Sequence, residues 1–88
     1  SQVTAANHAG YYPGHEMITA RLLYHRDTRV LLGAQLIGGA GAALRTGTMA
    51  TAITARMTVD QVGELDLGYA PPFSAAWDVL NIAANVAE

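Results

Sequence analysis

The chain has 88 residues, of which 51% are apolar and 14% charged, and its net charge is −2. That length holds one domain, residues 1–88. The charged fraction falls short of the roughly 25% usual in soluble domains, which leaves uncharged surface for an interface. The five cations are all arginines and form no basic stripe, and lysine and cysteine are absent. These features argue against nucleic-acid binding, Schiff-base chemistry, a phosphate-binding lysine loop, a disulfide framework and a thiolate site within this chain. No apolar run approaches the roughly 18–20 residues that cross a membrane, and no secretory leader pattern is present. A cytoplasmic protein is expected. The chain opens at Ser1 without an initiator Met and reads as a fragment, so functional residues are expected outside it.

Val3 to His8 is small and polar and predicts a first strand. Gly10-Tyr11-Tyr12-Pro13-Gly14 is a turn, with φ fixed at the proline and freedom on either side. Met17 to Tyr24 alternates Ile18, Ala20, Leu22 and Tyr24 with Met17, Thr19, Arg21 and Leu23, which is strand periodicity. His25 to Arg29 is a polar connection. Val30 to Ile37 is a short continuous apolar run, expected as a strand buried on both faces. The two runs predict an antiparallel hairpin. After Gly38-Gly39-Ala40-Gly41 a helix is expected over Ala42–Met57, with Thr46, Met49, Ala50, Ile53 and Met57 on one face. Thr58-Val59-Asp60-Gln61 has the spacing of a capping box and predicts a short helix to Leu65. Asp66 to Ala70 should be extended, because Ala70 precedes Pro71. Ser74 is expected to cap a last helix over Ala75–Ala87, with Trp77, Leu80, Ala84 and Ala87 on one face. The whole predicts an α+β domain, an antiparallel sheet packed against helices.

Few residues carry a chemical signal. Val30–Ile37 followed by Gly39-Ala40-Gly41 imitates the start of a dinucleotide-binding unit. However, Leu44 stands where a third glycine is needed, and the acidic strand that should follow is missing. The glycines are expected to let the chain turn from strand to helix. His8, His15 and His25 lie seven and ten residues apart, which matches no compact metal pattern. Tyr69-Ala70-Pro71-Pro72-Phe73-Ser74 is the most unusual stretch. Its prolines stiffen the backbone beside a phenol, which can donate a proton or a hydrogen bond. A packed, hydrogen-bonded tyrosine would have the same local sequence.

Five segments occur in order: Tyr11-Tyr12-Pro13-Gly14, Leu32-Gly33-Ala34-Gln35-Leu36-Ile37-Gly38, Met57-Thr58-Val59-Asp60-Gln61-Val62, Tyr69-Ala70-Pro71-Pro72-Phe73-Ser74 and Trp77-Asp78-Val79-Leu80-Asn81. Together they resemble the dimerisation domain of the pyridine nucleotide-disulfide oxidoreductases, in the branch of coenzyme A-disulfide reductase and NADH oxidase. The resemblance covers nearly the whole chain. The Tyr-Ala-Pro-Pro-Phe segment is its more specific part, and the Leu-Gly-Ala-Gln strand is general to the superfamily.

The resemblance implies a homodimeric enzyme whose FAD, NAD(P)H and redox cysteine are held by preceding flavin and nicotinamide domains. The isolated 88 residues would then bind no cofactor and be inactive. It also implies that tyrosines of one subunit flank the redox cysteine of the other. Tyr69 matches one of them. Tyr11 or Tyr12 matches the second, with Tyr11 preferred. Their implied role is to orient the substrate sulfur and to stabilise or protonate a departing coenzyme A thiolate. The His-Pro motif of the glutathione-reductase branch is absent. An NADH oxidase or peroxidase on the same scaffold is an alternative, and so is a free-standing dimerisation module. Two departures stand out. Ala42-Ala43-Leu44-Arg45-Thr46-Gly47 replaces a charged Asp-Lys-Arg-Ile-Asp run and keeps only the arginine. Val79 stands where a proline is common.

Overall fold

Alternation along Met17–Tyr24 sets the layering, because successive side chains of a strand point to opposite faces. In the computed structural model, which describes residues 1–88, this strand forms over Met17–Tyr24 as expected. Ile18, Ala20 and Leu22 are buried, whereas Leu23 is exposed. It is the central strand, β2, between β1 (Gln2–Ala6) and β3 (Leu31–Gly38), and both pairings are antiparallel. On the open face Thr4 lies opposite Thr19, with their hydroxyls 2.8 Å apart. Helix α1 (Ala42–Thr54) packs on β3, α3 (Val79–Asn85) packs on β1 and β2, and α2 (Val59–Gly63) packs on α3. The core lies between sheet and helices and includes Ile18, Leu31, Val59, Val62, Val79 and Leu80. This is the expected α+β arrangement.

Several local expectations are corrected. β1 begins at Gln2 and stops at Ala6, two residues short of His8. The Asn7 side chain leaves the ladder, donating to the Ala40 carbonyl at 3.0 Å and accepting from the Glu16 amide at 2.9 Å. β3 is not covered on both faces. It is an edge strand with helices on one side only, and Leu32 and Ile37 are 52% and 73% exposed. An apolar run reports hydrophobicity on both faces but not what covers the second one.

Helix α1 begins at Ala42 as expected and runs through Gly47, but it ends at Thr54 rather than Met57. Arg56 takes a left-handed φ of 56°. That turn aims the Met57 carbonyl at the Leu31 amide and the Val59 amide at the Arg29 carbonyl, both at 2.9 Å. Met49 and Ile53 face inward, but Thr46 and Ala50 are exposed, and Ala42 and Ala52 take the buried places. The inward stripe is rotated toward Arg45, whose side chain is drawn inward to the Asp78 carboxylate at the start of α3.

The capping box at Thr58 forms in full, with Gln61 answering the Thr58 amide at 2.9 Å. Helix α2 nonetheless stops at Gly63, short of Leu65. The Asn81 amide donates to the Val62, Gly63 and Leu65 carbonyls at 3.0–3.4 Å and so replaces the next helical turn. The last helix starts at Val79 rather than Ala75, and its cap is Asp78 rather than Ser74. Leu80 and Ala84 are buried as expected, but Trp77 precedes the helix and is exposed.

Candidate functional site

Tyr11 stands on the turn between β1 and β2. The Tyr12 amide donates to the Ala9 carbonyl at 3.0 Å, and Gly14 supplies a left-handed φ of 84° that brings the chain back toward β2. Only a glycine adopts that conformation without cost. Tyr69 stands on the segment before α3, where the Phe73 and Ser74 amides both donate to the Ala70 carbonyl at 2.8 and 2.9 Å. The Ala9 amide donates to the Pro71 carbonyl at 3.2 Å, which fastens the two segments to each other.

The result is a pair of phenols. The Tyr11 and Tyr69 hydroxyls are 2.8 Å apart, although 58 residues separate them in the chain. Both rings remain accessible, at 77% and 50% exposure. The bond to Tyr11 raises the Tyr69 pKa above the ordinary phenol value, with partial burial adding to the effect. Either hydroxyl can donate in this bond, and whichever one accepts keeps its own proton free for another acceptor. Tyr12 is not part of the pair. Its ring meets His8 edge-on at 5.6 Å, and His8 in turn meets His15 at 6.4 Å. Of the three tyrosines expected at the site, the fold joins Tyr11 with Tyr69 and sets Tyr12 against the histidines.

Beside the tyrosine segments lies a polar network that spacing in the sequence did not indicate. Arg45 donates from Nε and Nη2 to the Asp78 carboxylate at 2.7–3.0 Å, from Nη1 to the Gly41 carbonyl, and from Nη2 to the Asn7 carbonyl. Both charged side chains are nearly buried, at 10% and 7% exposure. Asp78 also accepts from the Leu80 amide at 3.0 Å as the cap of α3. One ion pair thus ties the end of β1, the start of α1 and the start of α3. Asp78 and Asn81 are also the two halves of a capping box at the start of α3. An open cleft of about 570 Å³ adjoins both tyrosine segments, with Arg45 and Asn7 in its wall and Leu44 and Phe73 among its apolar lining.

These segments and this topology have a known counterpart. The family profile described as "Pyridine nucleotide-disulphide oxidoreductase, dimerisation domain" matches residues 1–80. The chain belongs to this family. Among curated relatives, coenzyme A disulfide reductase of Staphylococcus epidermidis is 34% identical over 87 residues, covering 99% of this chain and 20% of its own length. The crystal structure of reduced Bacillus anthracis CoADR-RHD superposes with a TM-score of 0.91 at 39% identity, covering 96% of this chain and 15% of that one. A NAD-dependent persulfide reductase from A. fulgidus gives a TM-score of 0.87 at 37% identity, covering 98% of this chain and 17% of that one. This dimerisation domain thus spans about a fifth of the length of the curated relatives it matches.

Side chains of the domain itself crowd its glycine run. A side chain placed on Gly39 would meet the Glu16 side chain, and one on Gly41 would meet the Arg45 guanidinium. The Glu16 carboxylate accepts from the Ala40 amide at 3.4 Å, so an acid of this chain already faces the strand-to-helix turn. Gly41, with a φ of 91°, serves that turn as the cap of α1.

Proposed function

We propose that the domain pairs with a second copy and presents the Tyr11–Tyr69 phenol pair to the redox centre of the partner subunit. In this reading the parent is an FAD- and NAD(P)H-dependent disulfide reductase acting on a coenzyme A-type disulfide. The flavin, the nicotinamide and the redox cysteine are supplied outside these 88 residues. The observation that carries the reading is the 2.8 Å bond between two exposed phenols on separately anchored segments. Similarity to coenzyme A disulfide reductase at 34% identity supports the substrate class.

The chemistry assigned to the pair follows from its hydrogen bonding. Cleavage of a disulfide by a thiolate forms one new S–S bond and releases the other sulfur as a thiolate. A thiol has an ordinary pKa near 8.5 and a phenol one near 10. A phenol therefore holds its proton against a departing thiolate and stabilises it by donating a hydrogen bond, without full transfer. One hydroxyl of the pair donates to the sulfur. The other donates to that hydroxyl's oxygen, aims its remaining proton outward and strengthens it as a donor. A persulfide also contains an S–S bond that leaves a sulfur anion, and the 37% identity to a persulfide reductase makes it the second acceptor to test.

The test uses the full-length parent enzyme. Tyr69→Phe should lower kcat for coenzyme A disulfide by roughly 10²-fold, the usual cost of losing one preorganised donor. Those subunits are then mixed with subunits lacking the redox cysteine, which are themselves inactive. If the phenols act across the interface, hybrid dimers regain one working site of two. No recovery on mixing, or turnover with oxygen and not with either sulfur acceptor, would falsify the proposal.

A further inference from the structure

The structure assigns Ser74 as the positioning residue that fixes the direction of Tyr69. Its hydroxyl donates to the Gly68 carbonyl at 2.8 Å and accepts from the Ala70 amide at 3.2 Å. These groups belong to the two peptide planes on either side of Tyr69. The Gly68 carbonyl lies in the plane that precedes the Tyr69 α-carbon, and the Ala70 amide lies in the plane that follows it. Peptide planes are rigid, and φ and ψ are the soft rotations between them. One oxygen bonded to both planes therefore restrains both rotations of Tyr69 at once.

No other hydrogen bond reaches these two peptide planes. The space around Gly68 is open, with no heavy atom within 4 Å of where a side chain would stand. Tyr69 is half exposed, and its hydroxyl bonds to that of Tyr11. Ser74 itself is held firmly. It is buried, its own amide donates to the Ala70 carbonyl at 2.9 Å, and Asp78 caps α3 four residues later. The serine that looks like a helix cap in the sequence is thus turned backward, and its hydroxyl serves the preceding loop. This role deepens the reading of Tyr69 as a group presented to a partner, and it rests on that reading for its importance in turnover.

The decisive measurement is the titration of the four tyrosines of the 88-residue chain, followed by NMR of ring-labelled tyrosine. Tyr11→Phe defines how Tyr69 titrates without its partner. Ser74→Ala should bring Tyr69 to that same position, with the upward shift lost, while Ser74→Thr, which keeps the hydroxyl, should retain it. Ser74→Cys keeps the volume with only a weak hydrogen-bonding group, so it answers the question if the alanine variant does not fold. Retention of the full shift in whichever of Ser74→Ala and Ser74→Cys folds overturns the assignment. Loss in the threonine variant as well as the alanine variant also overturns it, since packing would then be the cause. If Ser74→Ala frees Tyr69 but leaves kcat of the parent unchanged, the positioning role stands and the catalytic reading of the tyrosines falls.

Discussion

Two Arg–Asp pairs sit at opposite ends of β2 and do different work with the same chemistry. At the tyrosine end, Arg45 and Asp78 lie nearly buried and tie three segments together. At the other end, Arg29 grips Asp60 at 2.8 and 3.1 Å in solvent, with the Asp60 side chain 61% exposed. Arg29 also donates to the Ala87 carbonyl at 3.2 Å and lies 5.6 Å from the centre of the Tyr24 ring. Each pair joins its carboxylate through Nε and Nη2 of the arginine. What separates them is what remains when one partner is removed. A buried survivor has no water to replace its partner, whereas an exposed survivor is rehydrated.

The largest effect is therefore expected from Asp78→Ala, which leaves Arg45 charged and buried. It should cost about 3–5 kcal/mol of unfolding free energy, the range for a broken buried pair. Urea denaturation measures it directly, and a loss no larger than that of an exposed pair would erase the contrast. The same variant should separate the two tyrosine segments and abolish the Tyr11-dependent titration of Tyr69.

A substitution of intermediate size calibrates the exposed surface. Gly47 lies inside α1 with open space where a side chain would stand. Gly47→Ala should stabilise the domain by about 0.5–1 kcal/mol, because alanine gives up less backbone freedom on entering a helix. A destabilised Gly47→Ala would show that something outside this chain occupies that face.

The smallest effect belongs to Asp60. The hydrogen bond from Arg29 holds its carboxyl below the ordinary value, and the Coulombic attraction adds to this. A lowered folded pKa means stability that is present above the unfolded value of about 3.9 and is lost as pH falls through the folded one. Asp60→Asn should therefore melt slightly earlier than the parent at pH 6, and the two curves should converge as pH drops below about 4. Added salt should narrow the pH 6 difference. A gap that persists in strong acid would mean that the Asp60 effect is not an ion-pair effect.

The two ends also differ in how legible they were. The Arg29 end is built from local signals. Strict alternation marks Met17–Tyr24 to the residue, and Thr58 and Gln61 form a capping box that depends only on each other. At the tyrosine end the family segments point to Tyr69 and to Tyr11 or Tyr12, with Tyr11 preferred but Tyr12 left as the alternative. The fold separates them, because His8 takes the Tyr12 ring and the Ala9–Pro71 bond brings the other turn to Tyr69.

The start of the last helix shows where the division falls. Ser74 and Asp78 are both good capping residues, and nearby residues do not decide between them. Asp78 takes the cap while also receiving Arg45 from 33 residues away, and the Ser74 hydroxyl is committed to the Gly68 and Ala70 peptide groups. The sequence by itself determined the strand period, the α+β class and the α2 cap, and it named Tyr11, Tyr12 and Tyr69 as candidates. Only the tertiary structure decided which equivalent local bonds form, because those choices depend on groups that meet only after the chain has packed.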